Sequence, residues 1–396
     1  MALQGLVAVV SARPTGGDPY PPASEEKAIT SMPAPHPDVT VTIVTVGVDT
    51  HKDVHVAVAL DALGRRLGDL QIPTTTIGYD QLHHWAAGLG HVSAFGVEGT
   101  GSYGAGLTRH LRHHGIHVIE VNRPDRATRH RKGKSDPIDA ESAARAVLAG
   151  TAAAAPKAGD AHVEVIRMLK LTRDSAVKAR TQAVNQLKAV LVTAPAELRE
   201  SLNGLGPVAL LERCAGLRPG QPTTPLTAAK YALRMLARRA LTLESEARQL
   251  REQLATLTTA AAPALLQLTG VGPDTAAALL LAAGDNAHRL HSEAAFAALC
   301  GTNPVPASSG KITRYRLNRG GNRQANAALH RAVVTRMHWH EPTQIYVARR
   351  TAEGKTKPEI MRCLKRYLAR RVYRALPMTP VNNKPADHRK NLAPAA

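Results

Sequence analysis

The stretch that most constrains the fold is residues 41–148, where a β-branched run and two further strand-like runs arrive in succession and helix-like and strand-like segments then alternate. Val41–Asp49 (VTIVTVGVD), Val54–Leu60 (VHVAVAL) and Arg65–Ile72 (RRLGDLQI) read as strands, with Ala62-Leu63-Gly64 as the turn between the last two. A helix is expected around Tyr79–Leu89, then a strand Val92–Val97 ending at Glu98. A helix near Gly104–His114, a short strand Ile116–Val121 and a helix from Pro137 to Leu148 complete the pattern. Sequential strands followed by alternation specify an α/β layer rather than a bundle or a sandwich.

A three-strand meander followed by helix–strand alternation is the order of a ribonuclease-H-like α/β domain, placed here at residues 41–155. The preceding residues 1–40 are rich in Pro, Gly and Ser and aperiodic, so they are expected to form a disordered lead. The middle, 160–262, is helical by its spacing. Ile166, Leu169, Val177, Val184, Leu187 and Leu191 mark one helix, and a Pro/Gly-rich stretch at Gly204–Pro225 interrupts the pattern. Leu233, Leu236, Ala240, Leu243, Ala247, Leu250, Leu254 and Leu257 then alternate three and four apart. Such a seam suits a helix buried in its own domain, or an antiparallel or intersubunit coiled coil, and its strictness favours the coiled coil. Residues 263–376 are expected to be mainly helical, with a helix-hairpin-helix-like element at Leu265–Ala283 turning on Gly270 and Gly272. A Pro-rich disordered tail, 377–396, follows.

Charge narrows the function. Lys and Arg number 51 against 31 Asp and Glu, for a net charge of +20. Between Gly301 and Leu376 stand 17 basic residues and three acids, and Arg123–Lys134 (RPDRATRHRKGK) packs six basic residues around one acid. Concentration at two places is what neutralising a phosphate backbone requires. Arg123, Arg126, Arg129, Arg131, Lys132 and Lys134 are therefore candidate nucleic-acid contacts, as are Lys311, Arg314, Arg316, Arg319 and Arg323. The Gly270 and Gly272 turn, at a helix N-terminus, could hold a phosphate without reading bases. Phe and Trp number only two each, so few of these side chains are available for base stacking.

No run of 18 apolar residues occurs and no signal-peptide pattern opens the chain, so no membrane span or export is expected. The three cysteines (Cys214, Cys300, Cys363) are far apart and read as reduced thiols of an intracellular, cytoplasmic protein. Eighteen histidines include the run HLRHHGIH (110–117), read as a wet helix face because no cysteine or acid lies at ligand spacing within it.

Four acids stand out by position. Asp49 and Glu98 end strands, and Asp136 and Asp139 lie three apart at a helix start. Strand-end acids on neighbouring parallel strands face one crevice, where open α/β sheets place their sites. Clustered carboxylates repel one another and persist where a hard cation neutralises them; Mg²⁺ suits this set, with Mn²⁺ as the alternative. Taken singly, Asp136 could cap its helix and Glu98 could be a solvated turn residue.

Three segments carry a family resemblance: Gly-Val-Asp-Thr-His-Lys (47–52), Val-Glu-Gly-Thr-Gly-Ser-Tyr-Gly (97–104) and Lys-Ser-Asp-Pro-Ile-Asp-Ala (134–140). They resemble the acidic motifs of the insertion-sequence-110 family of transposases. Leu-Thr-Gly-Val-Gly-Pro (268–273), Asn-Pro-Val-Pro-Ala-Ser-Ser-Gly-Lys (303–311) and Arg-Gly-Gly-Asn-Arg (319–323) are similar to motifs of that family's second domain. The resemblance covers roughly residues 42–375 in order and spacing; the lead and tail fall outside it. It implies a RuvC-like N-terminal domain whose Asp-Glu-Asp-Asp tetrad would be Asp49, Glu98, Asp136 and Asp139, binding Mg²⁺. It implies a serine nucleophile at Ser309, with Ser308 as the neighbouring alternative. It further implies a DNA recombinase of a bacterial mobile element, acting on donor and target DNA near the nucleoid. A guide noncoding RNA is implied too, as is a homotetramer that the coiled-coil seam could serve. Two rivals remain on the residues alone: a RuvC- or ribonuclease-H-type nuclease using water, and a non-catalytic nucleic-acid-binding protein.

Overall fold

In the computed structural model the described residues are 42–122, 135–159, 161–310 and 315–377. The lead, the tail and the basic segment Arg123–Lys134 lie outside them, so the expectations for those stretches go no further. Strand β1 (Ile43–Thr50) is β-branched at six of its eight positions and buried from Val44 onward, which suits the centre of a sheet. It pairs antiparallel with β2 (Val54–Leu60), and β2 pairs antiparallel with β3 (Arg66–Pro73). On its other side β1 runs parallel to β4 (His91–Glu98), which runs parallel to β5 (Val118–Val121). The order is β3-β2-β1-β4-β5.

β5 begins two residues later than its apolar run suggests. Gly115, at φ 75°, ends the preceding helix, and the Ile116 amide reaches back to the Leu111 carbonyl at 3.0 Å. This Schellman-type closure takes Ile116 out of the strand.

Helices α1 (Thr76–Leu89) and α2 (Ala105–His113) cover one face of the sheet, packing Leu82, Ala86, Leu107 and Leu111 on Val44, Val46, Val48 and Phe95. Helix α3 (Asp136–Leu148) covers the other, setting Ala140 and Ala144 on Val56, Val58 and Leu60. Its close seat has a specific cause: Gly47 and Gly96 are register partners on β1 and β4. A Cβ on Gly47 would lie 2.0 Å from the Ala140 carbonyl oxygen, and one on Gly96 would lie 2.6 Å from Val147 Cγ2. The two glycines make a trough in the sheet that receives an alanine-faced helix.

The middle contains α4 (His162–Thr193) and α7 (Pro225–Ala261), joined through two shorter helices, α5 (Ala196–Ser201) and α6 (Pro207–Ala215). Helix α6 lies inside the stretch expected to be an interruption. Pro207 in its first turn and the buried Leu211 and Cys214, three apart, explain why a helix forms there. The long helices run antiparallel within one chain: Ala183 and Leu187 share a core with Leu233, Ala237 and Ala240, while Val163 and Ile166 share one with Leu254. Arg180 pairs with Glu244 between them. Leu233, Ala240, Ala247 and Leu254 of the leucine seam are buried, whereas Leu236, Leu243, Leu250 and Leu257 stay half-exposed.

The last part packs α8 (Pro263–Leu266), α9 (Pro273–Ala283), α10 (Glu293–Leu299), α11 (Arg323–Trp339), α12 (Glu341–Ala352) and α13 (Lys357–Ala375). A two-stranded hairpin, β6 (Pro304–Pro306) and β7 (Tyr315–Leu317), projects from it. Helix α9 is its axis, buried continuously from Thr275 to Leu280. Segment 151–159 ties this part to the sheet. Glu120 and Ala154 form an isolated bridge, the Ala158 amide donates to Asn286 Oδ1 at 2.9 Å, and Asn286 Nδ2 donates to the Pro156 carbonyl at 2.8 Å. The three cysteines are free thiols, and burial pushes that of Cys300 up to about 12. Among the described residues no helix is long and apolar enough to cross a membrane.

Candidate catalytic site

The carboxylates gather where the two parallel strands end. Asp49 is the penultimate residue of β1 and Glu98 the last of β4; they are 8% and 7% exposed. The Thr50 hydroxyl donates to the Glu98 carbonyl at 2.8 Å and so ties the two strand ends together. Asp136 and Asp139 stand in the first turn of α3, which the Gly47–Gly96 trough holds against β1. Asp139 is buried and Asp136 half-buried. Ser135, not Asp136, occupies the capping position, and the Asp136 carboxylate instead faces His51.

The His51 Nε2 lies 3.1 Å from Asp49 Oδ2 and 3.3 Å from Asp136 Oδ1. These three side chains each offer one ligand atom within 4.8 Å of the others; Glu98 and Asp139 are not in that set. Their fields still reach Asp49. Burial raises the Asp49 carboxyl above its ordinary range, His51 opposes this, and Glu98, Asp139 and Asp136 each add to the rise. Four acids from β1, β4 and α3 therefore act on one locus. Asp49 and Asp136 offer carboxylate oxygens beside the His51 nitrogen, a negatively charged and partly dehydrated set compatible with a divalent cation. His51 lay within a quoted motif, but sequence reasoning gave it no role. A histidine two residues past a strand-end acid was the available signal.

Ser309 is not part of this gathering. It is exposed, near the tip of the β6–β7 hairpin, beside Ser308 and before Gly310 at φ 54°. Lys311 and Arg314 lie outside the described residues. Arg316 projects from β7 into a cleft of about 720 Å³, lined also by Tyr315, Arg350, Lys355, Arg362 and Arg366. Arg319 flanks an adjoining hollow and Arg323 begins α11, both exposed. Arg362 and Arg366, four apart on α13, were missed in the sequence because its basic residues were counted as a field and not by helical face.

The glycine turn has a packing duty. Gly270, at φ 83°, abuts α11, and a Cβ there would lie 2.6 Å from the Ala332 carbonyl oxygen. Gly272 is exposed at the N-cap of α9, but Asp274 already places a carboxylate in the first turn, bound by Lys170 at 2.8 Å and Arg173 at 2.8 Å.

An acidic cluster at the ends of two interior strands of an α/β sheet, in a chain with a cationic helical half, is compatible with a protein that handles polyanions. Two family models match along the chain. The IS110-type DEDD transposase model, described as a transposase, matches residues 46–194. The model of the IS116/IS110/IS902 transposase family matches residues 262–348. The chain belongs to the IS110 family of transposases, enzymes that cut and rejoin DNA. No individual curated protein matches it.

Proposed function

We propose that the chain is the recombinase of a mobile insertion sequence, that Asp49, Glu98, Asp136 and Asp139 form its metal-binding tetrad, and that Ser309 is its nucleophile. The observation that carries the tetrad is the convergence of three chain-distant segments on Asp49. The strand order β3-β2-β1-β4-β5, with an antiparallel half and a parallel half, supports a ribonuclease-H-like domain of the RuvC type. Mg²⁺ or Mn²⁺ at the tetrad would neutralise the phosphate and stabilise the charge that develops on phosphorus.

The residues of the chain then divide the work. Asp49, Glu98 and Asp139 would supply buried oxygens to the ion and Asp136 a half-exposed one, while His51 bridges Asp49 and Asp136. The Ser309 hydroxyl attacks phosphorus. One P–O bond to the serine forms, one P–O bond to the DNA strand breaks, and the serine proton ends on the departing strand hydroxyl. The count of ester bonds is unchanged, so attack by a second strand hydroxyl reverses the link and rejoins DNA. Arg316 and its neighbours Lys311 and Arg314 would supply positive charge at that phosphate. Arg319, Arg323, Gly272, and the segment bearing Arg123, Arg126, Arg129, Arg131, Lys132 and Lys134, would hold backbone. Gly270 would serve this surface through its turn.

Ser309 lies in a different part of the chain from the tetrad. This favours a composite site, in which the tetrad of one subunit meets the serine of another in a tetramer. Leu243 and Leu250, half-exposed and outside the chain's own cores, lie on the surface through which subunits would join. An element-encoded guide RNA would select donor and target by base pairing, with the protein reading shape. The same separation favours the second reading, a nuclease in which water attacks at the tetrad alone.

Trapping DNA-bound protein separates the two. Wild type should give a covalent protein–DNA adduct and Ser309→Ala none; Asp49→Ala should abolish cleavage with binding retained. Hydrolysed ends without an adduct in wild type would establish the nuclease. An adduct that survives Ser309→Ala would move the role to Ser308.

A further inference from the structure

The histidine run on α2 acquires in three dimensions the acid it lacks in sequence. Asp80, on α1, brings Oδ1 to 3.2 Å from His110 Nε2, and the His110 and His114 rings stand 4.5 Å apart, centroid to centroid. Asp80, His110 and His114 each offer one ligand atom within 4.8 Å of the other two. Two details favour a shared ion over a chance contact. The His110 side chain is only 11% exposed, and its Nε2 is buried without a hydrogen-bond partner, because the Asp80 oxygen lies outside hydrogen-bonding geometry. His114 Nδ1 lies 2.9 Å from the His110 carbonyl and must donate to it, which fixes the tautomer and leaves Nε2 as the lone-pair nitrogen. Asp80 is held in turn at its own carbonyl, 2.8 Å from His84 Nδ1.

We infer that Asp80, His110 and His114 form a transition-metal site of the zinc class, clamping α2 to α1. Two imidazoles and one carboxylate are a borderline donor set that Zn²⁺ takes readily, with a fourth position left to water, and that Mg²⁺ does not prefer. The site is distinct from the carboxylate cluster: α1 and α2 pack on the sheet face opposite α3.

The test is Zn²⁺ binding by full-length, tag-free protein in excess Mg²⁺, read as stoichiometry by equilibrium dialysis and as the shift in melting temperature. Wild type should hold one tight equivalent. Asp80→Asn and His114→Ala should each weaken it tenfold or more, since loss of even a supporting partner costs that much. His114 is exposed, so its variant should fold normally even if Asp80→Asn does not. Because the chain has 18 histidines, His113→Ala serves as the control and should bind as wild type does. Asp49→Ala should also keep the equivalent. Absence of a tight equivalent in wild type, equal losses in His113→Ala and His114→Ala, or loss in Asp49→Ala would each overturn the site.

Discussion

Replacing Gly47 with alanine tests how the carboxylate cluster is assembled without touching any carboxylate. The new Cβ would lie 2.0 Å from the Ala140 carbonyl oxygen and 2.3 Å from the Ala144 nitrogen. Both are backbone atoms of α3, so no rotamer change relieves the clash. Ordinary contact begins at 3.4 Å, so α3 must retreat from β1 by about 1.4 Å at Ala140, the residue next to Asp139. Overpacking of this kind costs about 1–3 kcal/mol, so the protein should still fold. The site tolerates far less. Metal–ligand distances hold to roughly 0.2 Å, and a misplacement of about 1 Å costs on the order of 100-fold in rate. Gly47→Ala should therefore lose Mg²⁺-dependent strand cleavage by about 100-fold while binding DNA nearly as wild type does, because the basic half is unaltered. Cleavage, filter binding and thermal melts on the same preparation separate the three effects. Gly96→Ala should be milder, since its nearest obstacle is the Val147 side chain, and Gly88→Ala, with no atom within 4 Å, should leave cleavage unchanged. Wild-type cleavage and an unchanged melt in Gly47→Ala would show that α3 is not seated in the trough and that the cluster is not built this way.

Asp49 links pH to stability. Its folded pKa is raised, so it favours the fold below its unfolded pKa, and that contribution is lost as pH rises through the folded value. Chelated Asp49→Asn should melt higher than chelated wild type at neutral pH, converge with it in acid, and lose most of the stabilisation by Mg²⁺; parallel melting curves across pH would refute the electrostatic account. Asp274→Ala should destabilise by about 2 kcal/mol, because it leaves the buried Lys170 with only Asp174, at 3.0 Å, as its partner. Lys170→Met should be close to neutral in urea melts, since an apolar side chain of similar volume replaces a dehydrated charge; a loss equal to that of Asp274→Ala would contradict this.

What could be read from the sequence was what depends on neighbours along the chain. The strands at 43–50 and 54–60, the helix start at Asp136 and the four acids at element ends follow from β-branching, period and end position. What could not be read depends on which segments meet. The Gly47–Gly96 pairing requires the β1–β4 register, and one glycine in a strand says only that something approaches closely. The leucine seam gave the helix but not its partner: α4 of the same chain buries one leucine row and leaves the other half-exposed, so one periodicity serves two surfaces. The histidine run shows the limit most sharply. The run 110–117 holds no acid at ligand spacing, and the carboxylate beside it comes from Asp80, thirty positions before His110, because α1 and α2 share one face of the sheet. The four acids are readable differently, because strand ends and a helix start in an α/β sheet are placed by topology, without any side-chain contact being known. Residues whose placement follows from the fold class were legible; those placed by the packing of two particular helices were not.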